Sequence, residues 1–150
     1  MILKAKTLKI RKPKLKKDYS SSHTSLHWEK VKSLAEKVIA DILFKNKIFY
    51  QYEPKICKVV NWKPIIIANP DFFLRKQNVY MEYFGLNSKK TYKQNWNDKR
   101  KKYKENNIPC IYLNTSDVYT KKNGKYIVKT DTVIFNNITK KLNEFRHKHR

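Results

Sequence analysis

The sequence predicts an α/β domain, and three observations carry the prediction. Ser25 to Asn46 and Thr130 to His147 place apolar residues at helical spacing. Between them lie short apolar runs bounded by turn residues, too short for helices and suited to strands. Two of those runs, Asn69 to Leu74 and Val79 to Gly85, are joined by Arg75-Lys76-Gln77-Asn78 and predict a hairpin. With 150 residues, 40% of them hydrophobic, the chain is long and apolar enough for one domain with a real core.

Charge narrows the partner. Thirty-five Lys and Arg against twelve Asp and Glu leave +23, which calls for a polyanion, nucleic acid first. An anionic membrane surface would call for an amphipathic helix or a lipidation signal, and neither is apparent. No apolar run approaches the roughly 20 residues that span a bilayer. No apolar segment of the secretory type follows the basic N-terminus. The expectation is an intracellular protein, cytoplasmic or nucleoid-associated. Cys57 and Cys110 are expected to be buried free thiols in a reducing compartment.

Residues 1–24 are expected to form a basic arm, and residues 25–150 a single domain. Met1 to Lys17 holds eight Lys or Arg and no acid. Within it Lys9, Arg11, Lys12 and Lys14 are candidates for contact with DNA phosphates. The helix over Ser25 to Asn46 carries an apolar stripe of Val31, Leu34, Ala35, Val38, Ile42 and Leu43. Glu36 lies at the edge of the stripe, and Glu29 is its competitor as a carboxylate aimed into a cleft. Ile48 to Glu53 is an expected strand, limited by Pro54 and continued by Lys55 to Val60. Asn61-Trp62-Lys63-Pro64 is an expected turn. Ile65 to Ala68 is a continuous apolar run fit for a buried strand.

The hairpin follows. Asp and Glu are poor strand formers, yet Asp71 and Glu82 stand where aromatic or branched residues belong. If Arg75 closes the turn opposite Asn78, Asp71 falls directly opposite Glu82 on one face, about 5 Å apart at Cβ. Like charges so placed repel unless something positive lies between them, and a divalent cation is the economical candidate. Gly85 ends the hairpin and is expected at positive φ or at a close backbone approach.

Ser88 to Asn107 is an expected helix. Lys89 to Lys104 holds eight Lys or Arg against one acid, Asp98, interleaved with Tyr92, Trp96 and Tyr103. Lys89, Lys90, Lys93, Arg100 and Lys101, with Arg75 in the hairpin turn, are candidate DNA contacts. The aromatics either stack on bases or pack on the sheet. Ile108 to Leu113 is a further strand, Asn123-Gly124 a type I′ turn between Val118–Lys122 and Lys125–Lys129. The last helix puts Ile134, Ile138, Leu142 and Phe145 on one face.

Pro70-Asp71-Phe72-Phe73-Leu74, Tyr80-Met81-Glu82-Tyr83-Phe84-Gly85 and the preceding helical Glu36 together resemble the PD-(D/E)XK nuclease superfamily, over about Ser25 to Leu113. The branch most similar includes Vsr-like repair nucleases and small homing or junction-cutting enzymes. The resemblance implies a restriction endonuclease-like core, a mixed central β-sheet flanked by helices. It implies a metal-dependent DNA endonuclease in which Asp71, Glu82 and the backbone carbonyl of Tyr83 hold Mg2+, with Mn2+ as substitute. Glu36 would bind a second ion or orient a water. The superfamily's lysine belongs two residues after the sheet glutamate, where this chain has Phe84. Lys99 from the following helix is the expected replacement, and Lys93 the alternate. Duplex or branched DNA is the expected partner, and a homodimer would let two sites cut two strands. The competing expectations are a non-catalytic nucleic-acid-binding module on the same fold and an RNA-binding basic protein.

Overall fold

The computed structural model describes residues 23–85 and 90–149. Lys9, Arg11, Lys12, Lys14 and Lys89 lie outside the described residues. β1 (His23–Thr24) and β2 (Lys30–Val31) form a small antiparallel pair where the sequence suggests the start of a helix. Ser25 explains the difference. Its backbone N–H donates to the Glu29 carbonyl, its carbonyl accepts from the Trp28 N–H, and its hydroxyl accepts from the Glu29 N–H, which closes a loop. The helix α1 (Leu34–Lys45) begins only at Ser33, whose hydroxyl caps the Glu36 N–H at 3.2 Å. The Ser-x-x-Glu spacing at 33 and 36 is the stronger start signal. Val31 is thus a buried strand residue, not part of the helical stripe.

β3 (Tyr50–Tyr52), β4 (Ile56–Val60) and β5 (Lys63–Ala68) follow. Then come the hairpin strands β6 (Phe72–Leu74) and β7 (Val79–Phe84). α2 (Lys90–Glu105) leads to β8 (Cys110–Asn114). A helical turn α3 (Thr115–Val118), the hairpin β9 (Tyr119–Lys122) and β10 (Lys125–Val128), and α4 (Asp131–Lys148) complete the described chain. Val118 ends α3 rather than opening the hairpin. Asn123 and Gly124 turn that hairpin at φ 50 and 77, as their sequence requires.

The central sheet is mixed, in the order β3-β6-β7-β8. β3, β6 and β7 are antiparallel, and β7 and β8 run parallel with α2 as the crossover. Its register is the expected one: Phe72 faces Met81, Phe73 faces Tyr80 and Leu74 faces Val79. The turn closes through the Asn78 N–H to the Arg75 carbonyl, with Asn78 at φ 51.

Alternation then sorts the two faces. Phe72, Leu74, Val79, Met81, Ile111 and Leu113 pack against Ile39, Ile42 and Leu43 of α1 and Ile134, Ile138 and Leu142 of α4. The other face receives Tyr103 of α2 beside Tyr80, Cys110 and Tyr112, with Ala68 and Ile56. Residue 82 belongs to that second face, so its carboxylate is buried under α2 and not in the main core.

Three expectations fail for physical reasons. Ile65 to Ala68 is not a buried strand: β4 and β5 leave the sheet as a separate two-stranded ribbon, and Ile65 and Ile66 are about half exposed. Its loop is only Asn61-Trp62, since Lys63 and Pro64 already pair with Val60 and Val59. Cys57 therefore lies exposed on the ribbon, while Cys110 is a buried thiol on β8. Gly85 is not at positive φ, and a Cβ there would make only an ordinary 3.4 Å contact with the Tyr83 ring.

Candidate active site

Asp71 sits just before β6, one residue beyond the last laddered pair of the hairpin. Its carbonyl accepts from the Glu53 N–H at 2.8 Å, which ties it to the end of β3. Its Oδ2 accepts from the Tyr83 N–H at 2.7 Å, in place of the strand bond that the ladder no longer supplies. The N–H and C=O of one strand residue leave by the same edge. The Tyr83 carbonyl therefore faces the Asp71 side as well.

Glu82 is 5% exposed and fully engaged. Lys99 of α2 donates to its Oε1, and the Tyr103 hydroxyl donates to its Oε2 at 3.1 Å. Lys99 and Tyr103 are one helical turn apart, so both reach Glu82 from a single face of α2. Lys93 is exposed on α2 and makes no such contact among those described.

Phe84, at the position the resemblance assigns to lysine, stacks on Trp96 at 4.3 Å and on Tyr92 at 5.2 Å between ring centroids. Trp96 in turn meets Tyr112 edge-on at 5.0 Å. Tyr92, Trp96 and Tyr103 thus pack α2 onto the sheet; Tyr103 is buried, while Tyr92 and Trp96 are half-buried and also line the cleft. This packing holds Lys99 over the carboxylates.

Glu36 lines the same open cleft, about 420 Å³, with Ser33, Asp71, Glu82, Phe84 and Lys99. Its own oxygens have local partners. Oε1 accepts from the Ser33 hydroxyl at 3.0 Å, and Oε2 accepts from the Lys32 N–H at 3.2 Å and the Tyr52 hydroxyl at 2.5 Å. Glu36 caps its helix and anchors β3 while facing the cleft. Glu29, its competitor, accepts from the Tyr50 hydroxyl at 2.9 Å and is no part of the cleft lining.

The charges are strained. Burial pushes the Asp71 carboxyl well above the usual carboxylate range, and the charges of Glu82 and Glu36 push it further, against the Tyr83 N–H and Lys99. Burial also raises Glu82, although Lys99 and Tyr103 pull it back. Two opposed carboxylates with raised pKa values in a cleft mark a site that gains by taking up positive charge.

Among the described residues no three His, Cys, Asp or Glu side chains gather into a ready-made metal-binding group. The donor set that is present is two carboxylates and a backbone carbonyl edge. Mg2+ is held in this way, by one or two carboxylates with waters completing the octahedron, so the residues fit that ion.

The candidate DNA contacts distribute unevenly. Lys90, Lys93, Arg100 and Lys101 line the exposed side of α2. Arg100 lies over the rings of Trp96 and Tyr112 at 5.8 and 5.1 Å, and Lys101 is 3.8 Å from Glu105. Arg75 is exposed at the far end of the hairpin from the carboxylates. Sequence spacing does not reveal Tyr52 or Ser33 as partners of Glu36, and it offers Tyr103 only as a stacking or packing ring, not as a donor to Glu82. The cap signal at Ser33 was legible, but the two tyrosines come from elements whose meeting depends on the sheet. No family model, curated protein or solved structure matches the chain.

Proposed function

We propose that the chain is a Mg2+-dependent DNA endonuclease of the PD-(D/E)XK type, which hydrolyses phosphodiester bonds. The observation that carries this reading is the meeting of Asp71, Glu82 and Lys99 in one cleft on a strongly basic protein. The mixed sheet flanked by helices is consistent with it.

Asp71, Glu82 and the Tyr83 carbonyl would hold the cation. When bound, the cation supplies acidity to an attacking water and charge neutralisation at the phosphate. Asp71 commits Oδ2 to the Tyr83 N–H and keeps Oδ1 for this task. The Tyr103 hydroxyl fixes the orientation of Glu82. Lys99 has three N–H donors. It can hold Glu82 and also hydrogen-bond a phosphoryl oxygen, where negative charge develops in the transition state. The Phe84–Trp96 stack keeps α2 rigid, so Lys99 needs no reorganisation. Lys90, Lys93, Arg100 and Lys101 hold the DNA backbone and carry no sequence information of their own.

A second reading has its own support: Lys99 and Tyr103 already satisfy both oxygens of Glu82, as in a structural ion pair under a non-catalytic nucleic-acid-binding surface. The deciding experiment incubates supercoiled, linear, four-way-junction and single-stranded DNA with Mg2+ or Mn2+, wild type beside Glu82→Ala. Metal-dependent cutting lost in Glu82→Ala establishes the nuclease. DNA binding without cutting by the wild type on every substrate leaves the second reading.

A further inference from the structure

Trp62 is 97% exposed, more than any other large hydrophobic side chain of the described residues. It stands at the tip of the β4–β5 ribbon. Val60 pairs with Lys63, so Asn61 and Trp62 are the whole loop, at φ 50 and 64. This is the type I′ pattern, whose second position favours glycine. The two-residue loop of the β9–β10 hairpin, Asn123-Gly124, uses glycine there. A bulky residue in the left-handed region carries a conformational penalty that glycine escapes. At Trp62 the fold returns nothing for that penalty, because the ring packs on nothing and stands in water. Strain kept without an internal benefit points to an external use.

The ribbon behind the tip shows what that use is. Opposed residues share a face, so Cys57, Val59, Pro64 and Ile66 form one face, and Lys58, Val60, Lys63 and Ile65 the other. From Pro54 to Pro70 there are three lysines and no acid. A second copy of so basic a strip would be repelled. Pro64 lacks an N–H for edge pairing, and the irregularity at Ile56/Cys57 breaks the other edge, so sheet extension between copies is disfavoured as well. A polyanion with apolar surface between its charges fits both faces, and DNA is such a polymer. Ala68, at the ribbon's root, is buried beside Tyr103 and lies three residues before Asp71.

We propose that the β4–β5 ribbon is a DNA-binding arm, lying along a groove of duplex DNA with Lys58 and Lys63 on phosphates and Trp62 wedged against the bases. Apolar wedges of this kind, flanked by cations, kink or unstack a base step. The proposal rests on the reading of this chain as acting on DNA. Six residues of strand place Trp62 roughly 20 Å from the root. The contact therefore falls on the order of six base pairs from the scissile phosphate.

The test uses the full chain in EDTA, so that nothing is cut, and a short duplex carrying 2-aminopurine. Trp62→Gly removes the ring and gives the turn its preferred residue, so loss of binding in that variant is not misfolding. The expected result is an affinity lower by about tenfold with an unchanged salt slope, and loss of the 2-aminopurine fluorescence rise seen with wild type. Lys58→Ala with Lys63→Ala lowers the salt slope by about 2. Wild-type affinity and an unchanged fluorescence rise in Trp62→Gly overturn the proposal. So does Trp62-dependent self-association, or Trp62-dependent binding to anionic vesicles, with DNA affinity intact. A parallel plasmid assay with Mg2+ separates the two readings. Cutting by wild type, with Trp62→Gly binding as wild type does, removes the arm and keeps the nuclease. Trp62-dependent binding with no cutting keeps the arm and removes the nuclease.

Discussion

Lys99, on the helix after the hairpin, donates to Oε1 of Glu82, seventeen residues earlier and buried on the central strand. The contact joins the basic helix to the acid pair and makes one cleft of two sequence features.

Lys99→Met removes that donor. Cleavage is expected to fall by about 10²- to 10³-fold, in line with loss of one preorganised electrostatic group. Mn2+ affinity should be kept or increased, since a competing cation has gone from Glu82. Plasmid nicking and titration calorimetry measure the two quantities on the same preparation. A parallel loss of both would show that Lys99 only shapes the metal site.

Asp71→Asn keeps an oxygen for the Tyr83 N–H and removes a charge that the metal-free fold holds unwillingly. The metal-free variant should be more stable than wild type at neutral pH, because burial and the charges of Glu82 and Glu36 disfavour the ionised Asp71. Mg2+ should no longer raise its melting temperature, whereas wild type gains from the ion. Thermal melts with and without Mg2+ check both statements.

Stability should fall with pH in the metal-free protein. Asp71 is raised by burial and then by Glu82 and Glu36, and Glu82 is raised by burial against Lys99. Between the usual carboxylate range, about pH 4, and these higher native values, the native state keeps protons that the unfolded chain has released. Stability therefore declines as pH rises through that window and levels off above it. Urea midpoints in EDTA across the window should show the decline, and Asp71→Asn should flatten it. Mg2+ should reverse it, because the ion takes the deprotonated carboxylates.

Phe84→Lys puts a lysine where the resemblance expects one and breaks the stack on Trp96 and Tyr92. The single variant should lose about 1–3 kcal/mol, the scale of an aromatic pair plus lost burial. In a Lys99→Met background it should restore part of the cleavage, because residues 82 and 84 share a strand face and both line the cleft. Denaturation and nicking assays on the four-member cycle test this.

Much of the hairpin was legible because its rules are local. A four-residue turn ending in Asn78 fixes the register, and the period of two then sets Asp71 against Glu82 on one face. The helical spacing of Lys99 and Tyr103 was legible for the same reason. The start of α1 was misplaced because Ser25 and Ser33 are both capping residues. The choice between them is made by the Ser25–Glu29 loop and by the bond that the Leu26 N–H donates to the Asp41 carboxylate at 2.6 Å.

The sequence by itself determined the α/β character, the hairpin register, the basic surface and the opposition of two carboxylates. These follow from charge count, periodicity and turn chemistry, which act within a few residues. Only the tertiary structure decided that Lys99 meets Glu82 rather than solvent, and that Glu36 is held by Tyr52 and its own cap. It also decided that Phe84 serves as a packing residue, and that Ile65 and Ile66 stand exposed on a ribbon. Those outcomes depend on which face of the sheet α2 covers after a parallel crossover, and on whether a strand joins the sheet or leaves it. Such choices are made by packing between elements far apart in the chain, and an apolar run such as Ile65 to Ile67 suits either one equally well.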